Sequence, residues 1–346
     1  MRKMQKKKIV NLAQPVLGDD EFELVKKVLK SGFIAQGKIV EKFENKFAKY
    51  IGVKYAVATA NGTSALHLSL IALGIGKEDK VITTPLSFIS TANAIVHARA
   101  NPVFVDVDEK SYNINPDLIE RNITKRTKAI IPVHLFGMPS KMDEINSIAK
   151  KYSLRVIEDA CQGHGAKYKG RMVGSLGDLA CFSFYATKNI TCGEGGIVTT
   201  NSKGLSDKIK MLRNHGIKDG DFKILGYNMR MTDIQAALGL AQLKKLTKFN
   251  KLRRKNAEYL NKHLSKVKGI VTPSDTKYTT SSYHHYTIRI TRDFPVNRDC
   301  LIAKLKENSI TSGIYYKTPI HKTFLYKKMG YDLSLPVAER LSKEVL

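Results

Sequence analysis

The sequence predicts an α/β fold, in which helices flank a mostly parallel sheet and a smaller α+β region follows. Apolar runs with strand character alternate with amphipathic helical patterns through the first two thirds of the chain. These strand runs are apolar on both faces, as is typical when helices cover both sides of a parallel sheet. At 346 residues the chain is long enough for one large core and a second, smaller domain.

The predicted elements alternate regularly in the first part of the chain. Two amphipathic helices come first, at residues 21–30 and 40–50, separated by glycine-containing breaks. Strands are then predicted at residues 55–58, 80–83, 102–106, 128–133, 155–158, 180–184 and 196–200, with helices at 63–73, at 141–152 and in a segment that ends near residue 98. In such a fold the active site lies at the carboxyl ends of the strands.

The pattern changes after residue 232. One long helical stretch reaches about residue 264, and a strand at 285–291, a helix at 298–307 and a strand near 314–315 follow. We therefore predict a large domain of residues 1–250 and a small α+β domain of residues 251–346. On the predicted strand, the adjacent His284 and His285 would face opposite sides.

The formal net charge of +27 raises the question of a polyanionic partner. Lysines are spread over the predicted helices, and no aromatic stacking pattern accompanies them, so we expect no nucleic-acid partner. A basic surface would also suit a substrate that carries phosphate.

Targeting and metal-binding signals are also missing from the sequence. The basic stretch of residues 1–8 has no apolar segment behind it, and no apolar run approaches membrane-spanning length. We expect a cytoplasmic protein with no membrane partner. The four cysteines and nine histidines show no metal-type spacing, so we expect no metal site. Two of the cysteines lie in apolar, strand-like context, where we expect reduced, buried thiols.

A possible anion site follows the first predicted strand. Asn61, Gly62, Thr63 and Ser64 open a predicted helix, where free N–H groups, hydroxyls and the positive helix end can bind an anion. The same residue types also form ordinary helix N-caps, and this pattern taken alone favours the cap.

Two charged residues lie at the ends of later strands. Asp159 ends one strand and could hold a protonated heterocycle nitrogen, although a lone acid there is more often solvated or capping. Lys188 lies just beyond a buried aromatic strand and precedes the glycines of residues 193–196; a desolvated lysine has a lowered pKa and can form an imine. Since lysines are frequent in this chain, Lys188 alone is a weak signal. The stronger signal is the order and spacing of the anion-binding turn, Asp159, Lys188 and the glycine cluster.

In that order, the parts resemble the DegT/DnrJ/StrS family of sugar aminotransferases, which use pyridoxal 5′-phosphate (PLP). The matching segments are residues 61–68, 132–137, 156–162, 174–178, 182–196 and 226–233, within a resemblance that runs from about residue 11 to the last residue. The resemblance implies fold type I of the PLP-dependent transferases. It departs in one place, because members usually continue with a short segment after the helix that contains residues 338–341, whereas this sequence stops at Leu346.

The resemblance implies roles for four residues around the cofactor ring. Lys188 would carry PLP as a Schiff base and then move protons between the substrate carbon and the cofactor. Asp159 would pair with the pyridinium nitrogen, and Gln162 would form a hydrogen bond near the phenolic oxygen. Phe88 would stack on the ring face.

The resemblance also implies how the phosphate is held. Gly62, Thr63, Ser64 and Ser183 would bind it within one chain, and Asn228 would reach in from the partner subunit. Such shared sites make a homodimer the working unit.

The resemblance further implies a substrate. The lysine at position 188 favours transamination, since a relative with histidine there catalyses a dehydration. Residues 188–196 follow the run typical of members that aminate carbon 4 of a nucleotide-linked keto sugar, with glutamate as the donor. The alternatives are a carbon-3 keto sugar or a keto-cyclitol. Substrate contacts are expected from Tyr316, Glu194 and His321, with a structural role as the alternative for His321.

Two hypotheses from other classes remain open at this stage. A PLP-binding regulator would need an added DNA-binding module, and the sequence shows none. A basic nucleic-acid-binding protein without catalysis would not need a lysine and an aspartate at these strand ends. A cofactor absorbance scan separates the latter from an enzyme.

Overall fold

The computed structural model describes residues 9–346, and the basic stretch of residues 1–8 lies outside the described residues. Within residues 9–346, the α-helices are α1 (Asp19–Ser31), α2 (Lys38–Ile51), α3 (Gly62–Ala72), α4 (Ser90–His97), α5 (Met142–Lys151), α6 (Lys203–Arg213), α7 (Asp233–Leu264), α8 (Arg298–Glu307), α9 (Phe324–Lys328) and α10 (Pro336–Glu344). No helix in this part of the chain is both long and apolar enough to cross a membrane.

The main sheet has seven strands in the order β1-β9-β8-β5-β4-β2-β3. The strands of the described chain are β1 (Tyr55–Thr59), β2 (Lys80–Thr83), β3 (Asn101–Phe104), β4 (Thr127–Ile131), β5 (Arg155–Asp159), β6 (Lys167–Tyr168), β7 (Arg171–Met172), β8 (Leu179–Ser183), β9 (Gly196–Thr200), β10 (Ile217–Lys218), β11 (Asp221–Phe222), β12 (Ile270–Val271), β13 (Thr279–Thr280) and β14 (Arg289–Ile290). Parallel pairing joins β3, β2, β4, β5 and β8, whereas β9 is antiparallel to both β8 and β1. The sheet is therefore mostly parallel, as predicted.

Two hydrophobic cores lie on the sheet, and both are built from strand residues and covering helices. In one core, Phe43 and Phe47 of α2 pack edge-on against Phe182 and Phe184, with ring centroids 5.1–5.4 Å apart in the closest pairs. The other core is built on α3, α4 and α6 and includes the fully buried Leu68. Apolar packing on both sides explains the uniformly apolar strand runs of the sequence.

Carboxylates distant in sequence fix the starts of two helices. Asp233, the first residue of α7, accepts the main-chain N–H groups of Gly37 and Val40, both at 2.9 Å, and so caps α2. Asp106 accepts the N–H groups of Val337 and Ala338 at 3.0 and 2.9 Å and caps α10. These caps fix α2 and α10 to segments that are distant in sequence, at the start of α7 and just after β3.

The carboxyl-terminal part departs from the predicted elements. The strand predicted at residues 285–291 is reduced to Arg289–Ile290, and the prediction near residues 314–315 is wrong because no strand forms there. His284 and His285 therefore lie in a loop, where the His285 N–H bonds the carbonyl of Phe136 at 3.3 Å. Tyr315 stacks on His285 with ring centroids 4.2 Å apart. Side-chain stacking and loop contacts replace the strand pairing that the β-branched and aromatic residues suggested.

Two further differences concern helices. Helix α6 was not among the predicted elements, although Ser202 caps it by accepting the N–H of Leu205. Helix α7 runs without a break through the predicted boundary between residues 250 and 251. The division into two domains stays a prediction.

Candidate active site

The end of β5 places Asp159 at the carboxyl edge of the sheet. Its side chain is only 4% exposed, and both of its oxygens accept hydrogen bonds. The Thr91 hydroxyl donates to Oδ2 at 2.7 Å, and the main-chain N–H of Cys161 donates to Oδ1 at 3.2 Å. The carboxylate is therefore held in a fixed orientation in a buried position.

The preceding residue, Glu158, anchors the same strand from the other face. Its fully buried carboxylate accepts the main-chain N–H groups of Gly174, Leu176 and Gly177 at 2.7–2.9 Å. His134 lies 3.0 Å from the same carboxylate through Nε2. Since His134 Nδ1 accepts the N–H of Ser140, Nε2 carries the ring hydrogen and donates it to Glu158. The alternation of side chains along β5 thus gives one acid to the scaffold and one to the site.

Lys188 follows β8 in a turn, where its main-chain N–H bonds the carbonyl of Tyr185 at 2.9 Å. The side chain is half-buried. Burial lowers the pKa of Lys188, against the opposing influence of Cys161 and Asp159. Burial also lowers the pKa of the neighbouring His285 to about 3, so that ring adds no positive charge near neutral pH. The surroundings favour the neutral, nucleophilic amine at position 188.

The start of α3 forms a cradle beside this lysine. The Asn61 side chain accepts the N–H of Ser64 at 2.9 Å, which confirms the N-cap. The N–H groups of Gly62 and Thr63 precede any intrahelical acceptor and stay available to an anion. A Cβ at Gly62 would lie 2.8 Å from Cβ of Ser183, so this position has room for glycine alone. The cap and the anion site are therefore compatible.

Gln162 and the aromatic residues Tyr316 and Phe88 lie next to one another. The Gln162 Oε1 atom accepts the main-chain N–H of Phe136 at 2.8 Å, and its Nε2 atom donates to the hydroxyl of Tyr316 at 3.2 Å. Phe88 is 58% exposed, with its ring centroid 6.4 Å from that of Tyr316. An exposed aromatic face beside polar, buried groups is suited to cover a flat heterocycle.

The remaining predicted residues differ in how they are placed. Asn228 is exposed in a segment whose next residue, Met229, accepts the N–H of Ala60 at 2.9 Å, close to the α3 cap. Glu194 is also exposed. His321 is fully buried, and its Nε2 atom lies 3.2 Å from Glu339. A buried ring of this kind fits the structural alternative for His321 better than a contact with substrate.

Several residues of this region were missed by sequence reasoning. Thr91, whose hydroxyl bonds Asp159, lies 68 positions away in sequence. Ser90 shares a 2.9 Å hydrogen bond with Thr63, and Cys161 adjoins Gly62. His164 is buried beside the rings of Phe182 and Phe184. None of these residues stands out by a local motif, because their contacts join segments that are distant in sequence.

The chemical groups of these residues match the functional groups of PLP. It combines free N–H groups and hydroxyls for a phosphate, a buried carboxylate for a ring nitrogen, an amide donor for a phenolic oxygen and a desolvated amine for an aldehyde. Within residues 9–346, no group of three or more histidine, cysteine, aspartate or glutamate side chains is placed to hold a metal ion.

Fold and site together define a PLP-dependent aminotransferase of fold type I. Residues 15–346 match the model of the DegT/DnrJ/EryC1/StrS aminotransferase family, and the chain belongs to that family. PLP is its cofactor.

Individual relatives cover nearly the whole chain. An uncharacterised protein of Methanocaldococcus jannaschii is 43% identical over 96% of this chain and 93% of that protein. The GDP-perosamine synthase of Caulobacter vibrioides is 39% identical over 95% of this chain and 90% of that enzyme. The crystal structure of S. venezuelae DesV in complex with a ketimine intermediate superposes with a TM-score of 0.90 at 35% identity, covering 94% of this chain and 87% of DesV.

Proposed function

We propose that this aminotransferase converts the keto group of a nucleotide-linked sugar into an amine at carbon 4, with glutamate as the amino donor. The observation that carries the proposal is the grouping of Lys188, Asp159 and Gln162 around Cys161 and Tyr316, with Cys161 adjoining the α3 amino terminus. The nucleotide-linked class is supported by similarity to the GDP-perosamine synthase. Carbon 4 is supported by the run of residues 188–196, which follows the carbon-4 pattern.

Lys188 is proposed as the residue that binds the cofactor and moves protons. PLP, when bound, supplies an electron sink that acidifies the C–H bond next to the amine nitrogen. With its pKa lowered by burial, Lys188 loses its proton more readily than an exposed lysine and can then accept or return the substrate proton at Nζ. A lysine so placed acts as both nucleophile and base.

Asp159, Gln162 and Phe88 are proposed to orient the ring. Asp159 would hold the proton of the pyridine nitrogen, since its carboxylate is already fixed by two donors. Gln162 would donate its second amide hydrogen to the phenolic oxygen. Phe88 would cover one ring face and exclude water from it.

The phosphate is proposed to lie at the start of α3. The N–H groups of Gly62 and Thr63, together with the hydroxyls of Thr63, Ser64 and Ser183, would bind it. Asn228 is proposed as a further donor from the partner subunit.

A homodimer is supported by an apolar surface on α1 and the turn after it. Phe22, Leu29 and Phe33 are 61, 55 and 80% exposed, which is unusual for large apolar side chains of one region. This surface continues onto Ile234 of α7, which lies six residues after Asn228. We propose that a second copy of the chain covers it.

The cellular location is a separate part of the proposal. The four cysteines are unpaired and fit a reducing, cytoplasmic location.

The substrate is tested with purified enzyme and a panel of nucleotide-linked keto sugars. The panel varies the keto position between carbons 3 and 4 and includes a keto-cyclitol, each with glutamate as donor. Proton NMR of the product locates the new amine, and Lys188→Ala serves as the inactive control. Turnover of the carbon-4 ketones with 2-oxoglutarate release supports the proposal. Exclusive turnover of a carbon-3 ketone or of the cyclitol would replace the proposed substrate while leaving the transaminase intact.

A further inference from the structure

Two hydroxyls form a buried chain that ends on Asp159. Ser87 Oγ lies 2.8 Å from Thr91 Oγ1, and Thr91 Oγ1 lies 2.7 Å from Oδ2 of Asp159. Ser87, Thr91 and Asp159 are 5, 1 and 4% exposed. Water therefore has little access to these three side chains and cannot easily replace the hydrogen bonds between them.

Counting hydrogens fixes the direction of this chain. A hydroxyl has one hydrogen to donate, and Thr91 donates its hydrogen to the Asp159 carboxylate. Ser87 must then donate to Thr91. Both donations point at the carboxylate, so each strengthens the next and helps to fix the orientation of Asp159.

We propose that Thr91, supported by Ser87, is a positioning residue that keeps the Asp159 carboxylate aimed at the ring nitrogen of the cofactor. The inference rests on the proposed role of Asp159. The Cys161 N–H also donates to that carboxylate, at the longer distance of 3.2 Å, and the Cys161 thiol lies beside it. Without the Thr91 hydroxyl, Oδ2 of this buried carboxylate loses its short, charge-assisted hydrogen bond of 2.7 Å.

The experiment compares holoenzymes of wild type, Thr91→Val, Thr91→Ser, Asp159→Asn and Thr91→Val/Asp159→Asn. Thr91→Val keeps the shape and removes the hydroxyl, and we expect kcat to fall about 10- to 100-fold, the cost of one charged hydrogen bond, with a smaller change in the KM for glutamate. The pH midpoint of the bound cofactor's visible absorption should move in the same direction as in Asp159→Asn. Thr91→Ser should restore both values to within about threefold.

The double variant shows whether Thr91 acts through Asp159. If it does, Thr91→Val/Asp159→Asn is no slower than Asp159→Asn alone. Thr199→Val is the matched control, because Thr199 is a buried hydroxyl that donates to the Gly174 carbonyl at 2.7 Å. It should lower the melting temperature of the apoprotein without moving the absorption midpoint.

Three outcomes overturn the proposal. Wild-type kcat and absorption midpoint in Thr91→Val, alongside an impaired Asp159→Asn, would leave Asp159 in place and remove Thr91 from its support. Additive losses in the double variant would assign Thr91 a role independent of Asp159. Full activity in Asp159→Asn would overturn the role of Asp159 and this inference with it. Where Thr91→Val does not fold, Ser87→Ala takes its place, with the same midpoint shift expected and an unmoved midpoint contradicting the proposal.

Discussion

The main-chain N–H of Phe136 donates to Oε1 of Gln162 at 2.8 Å and thereby fixes which end of the amide faces the pocket. An N–H group can only donate, so the atom that it contacts must be the amide oxygen, and the nitrogen must lie on the other side. That nitrogen gives one hydrogen to Tyr316 at 3.2 Å. Its second hydrogen is available for an acceptor oxygen of the cofactor.

Gln162→Glu tests this orientation. The variant keeps an acceptor for Phe136 and replaces the donor with a second carboxylate oxygen, which repels a phenolic oxygen. We expect PLP to bind the apoprotein about 10- to 100-fold more weakly, the range for losing a charge-assisted hydrogen bond. Fluorescence titration with PLP measures the affinity. Tyr316→Phe removes the neighbouring acceptor alone and should have a smaller effect; wild-type affinity in Gln162→Glu would contradict the assigned orientation.

Gly62→Ala tests the closeness of the α3 cradle to β8. The added Cβ would lie 2.8 Å from Cβ of Ser183 and 3.0 Å from Sγ of Cys161. Alanine is the better helix former by about 1 kcal/mol, but overpacking costs about 1–3 kcal/mol, so a net loss of stability is expected. Gly204→Ala on α6 is the matched control, since no atom lies within 4 Å of its added Cβ. Urea unfolding of both apoproteins gives the free energies, and equal effects would show that the cradle relaxes freely.

The pH dependence of stability should report on Lys188. Its pKa is lowered in the folded apoprotein because burial penalises the charge, whereas the unfolded chain has the usual value near 10.5. Between these two pKa values the unfolded state binds more protons, so stability rises with pH, and the cost of the buried charge is fully present only below the folded value.

Lys188→Met removes that cost. We expect the apoprotein of this variant to melt above wild type at neutral pH, with an advantage that shrinks as the pH approaches 10.5. Differential scanning calorimetry across this pH range provides the measurement. Lys244→Met, at an exposed position of α7, controls for the loss of one positive charge from a protein of net charge +27. An equal gain in Lys244→Met would assign the effect to net charge.

Glu158→Gln should be among the most destabilising conservative changes in the chain. Glutamine places an NH2 group where the buried carboxylate now accepts the N–H groups of Gly174, Leu176 and Gly177 and the ring of His134. Donors then face donors, and the expected loss is about 3–5 kcal/mol in the free energy of unfolding. Glu120→Gln, an exposed partner of Lys151, should change little. A chemical denaturation midpoint for Glu158→Gln close to that of wild type would refute the anchoring role.

The sequence predicted the sheet better than it predicted the contacts within the site. Strand runs such as 80–83 and 196–200 coincide with β2 and β9, because apolar residues buried on both faces leave a strong local signal. The contact between Thr91 and Asp159 depends on how β5 and α4 pack, and no local pattern encodes such a distance. The surroundings of His321 could not be read from the sequence for a similar reason. Its neighbours in sequence resemble a site segment, whereas its burial against Glu339 depends on how α10 docks.

The dependence of activity on the partner's Asn228 gives the last prediction. Asn228 is exposed, so its side-chain amide is open to contact with a second subunit. One helix end rarely satisfies a phosphate alone, and a donor from a second subunit would make cofactor affinity depend on association by mass action. Inactive Lys188→Ala is mixed with weakly PLP-binding Asn228→Ala after reversible dissociation, and tagged heterodimers are purified.

If Asn228 acts across the interface, one site of the heterodimer carries both substitutions and the other carries neither. About half of the wild-type activity per heterodimer should then return, together with wild-type PLP affinity at that one site. Lys188→Ala mixed with Asp159→Asn is the matched control. Both of those residues belong to the same chain's pocket, so each site of that heterodimer keeps one lesion and no activity should return. Verified heterodimers of Lys188→Ala and Asn228→Ala that stay as inactive as the control would place Asn228 in the site of its own chain.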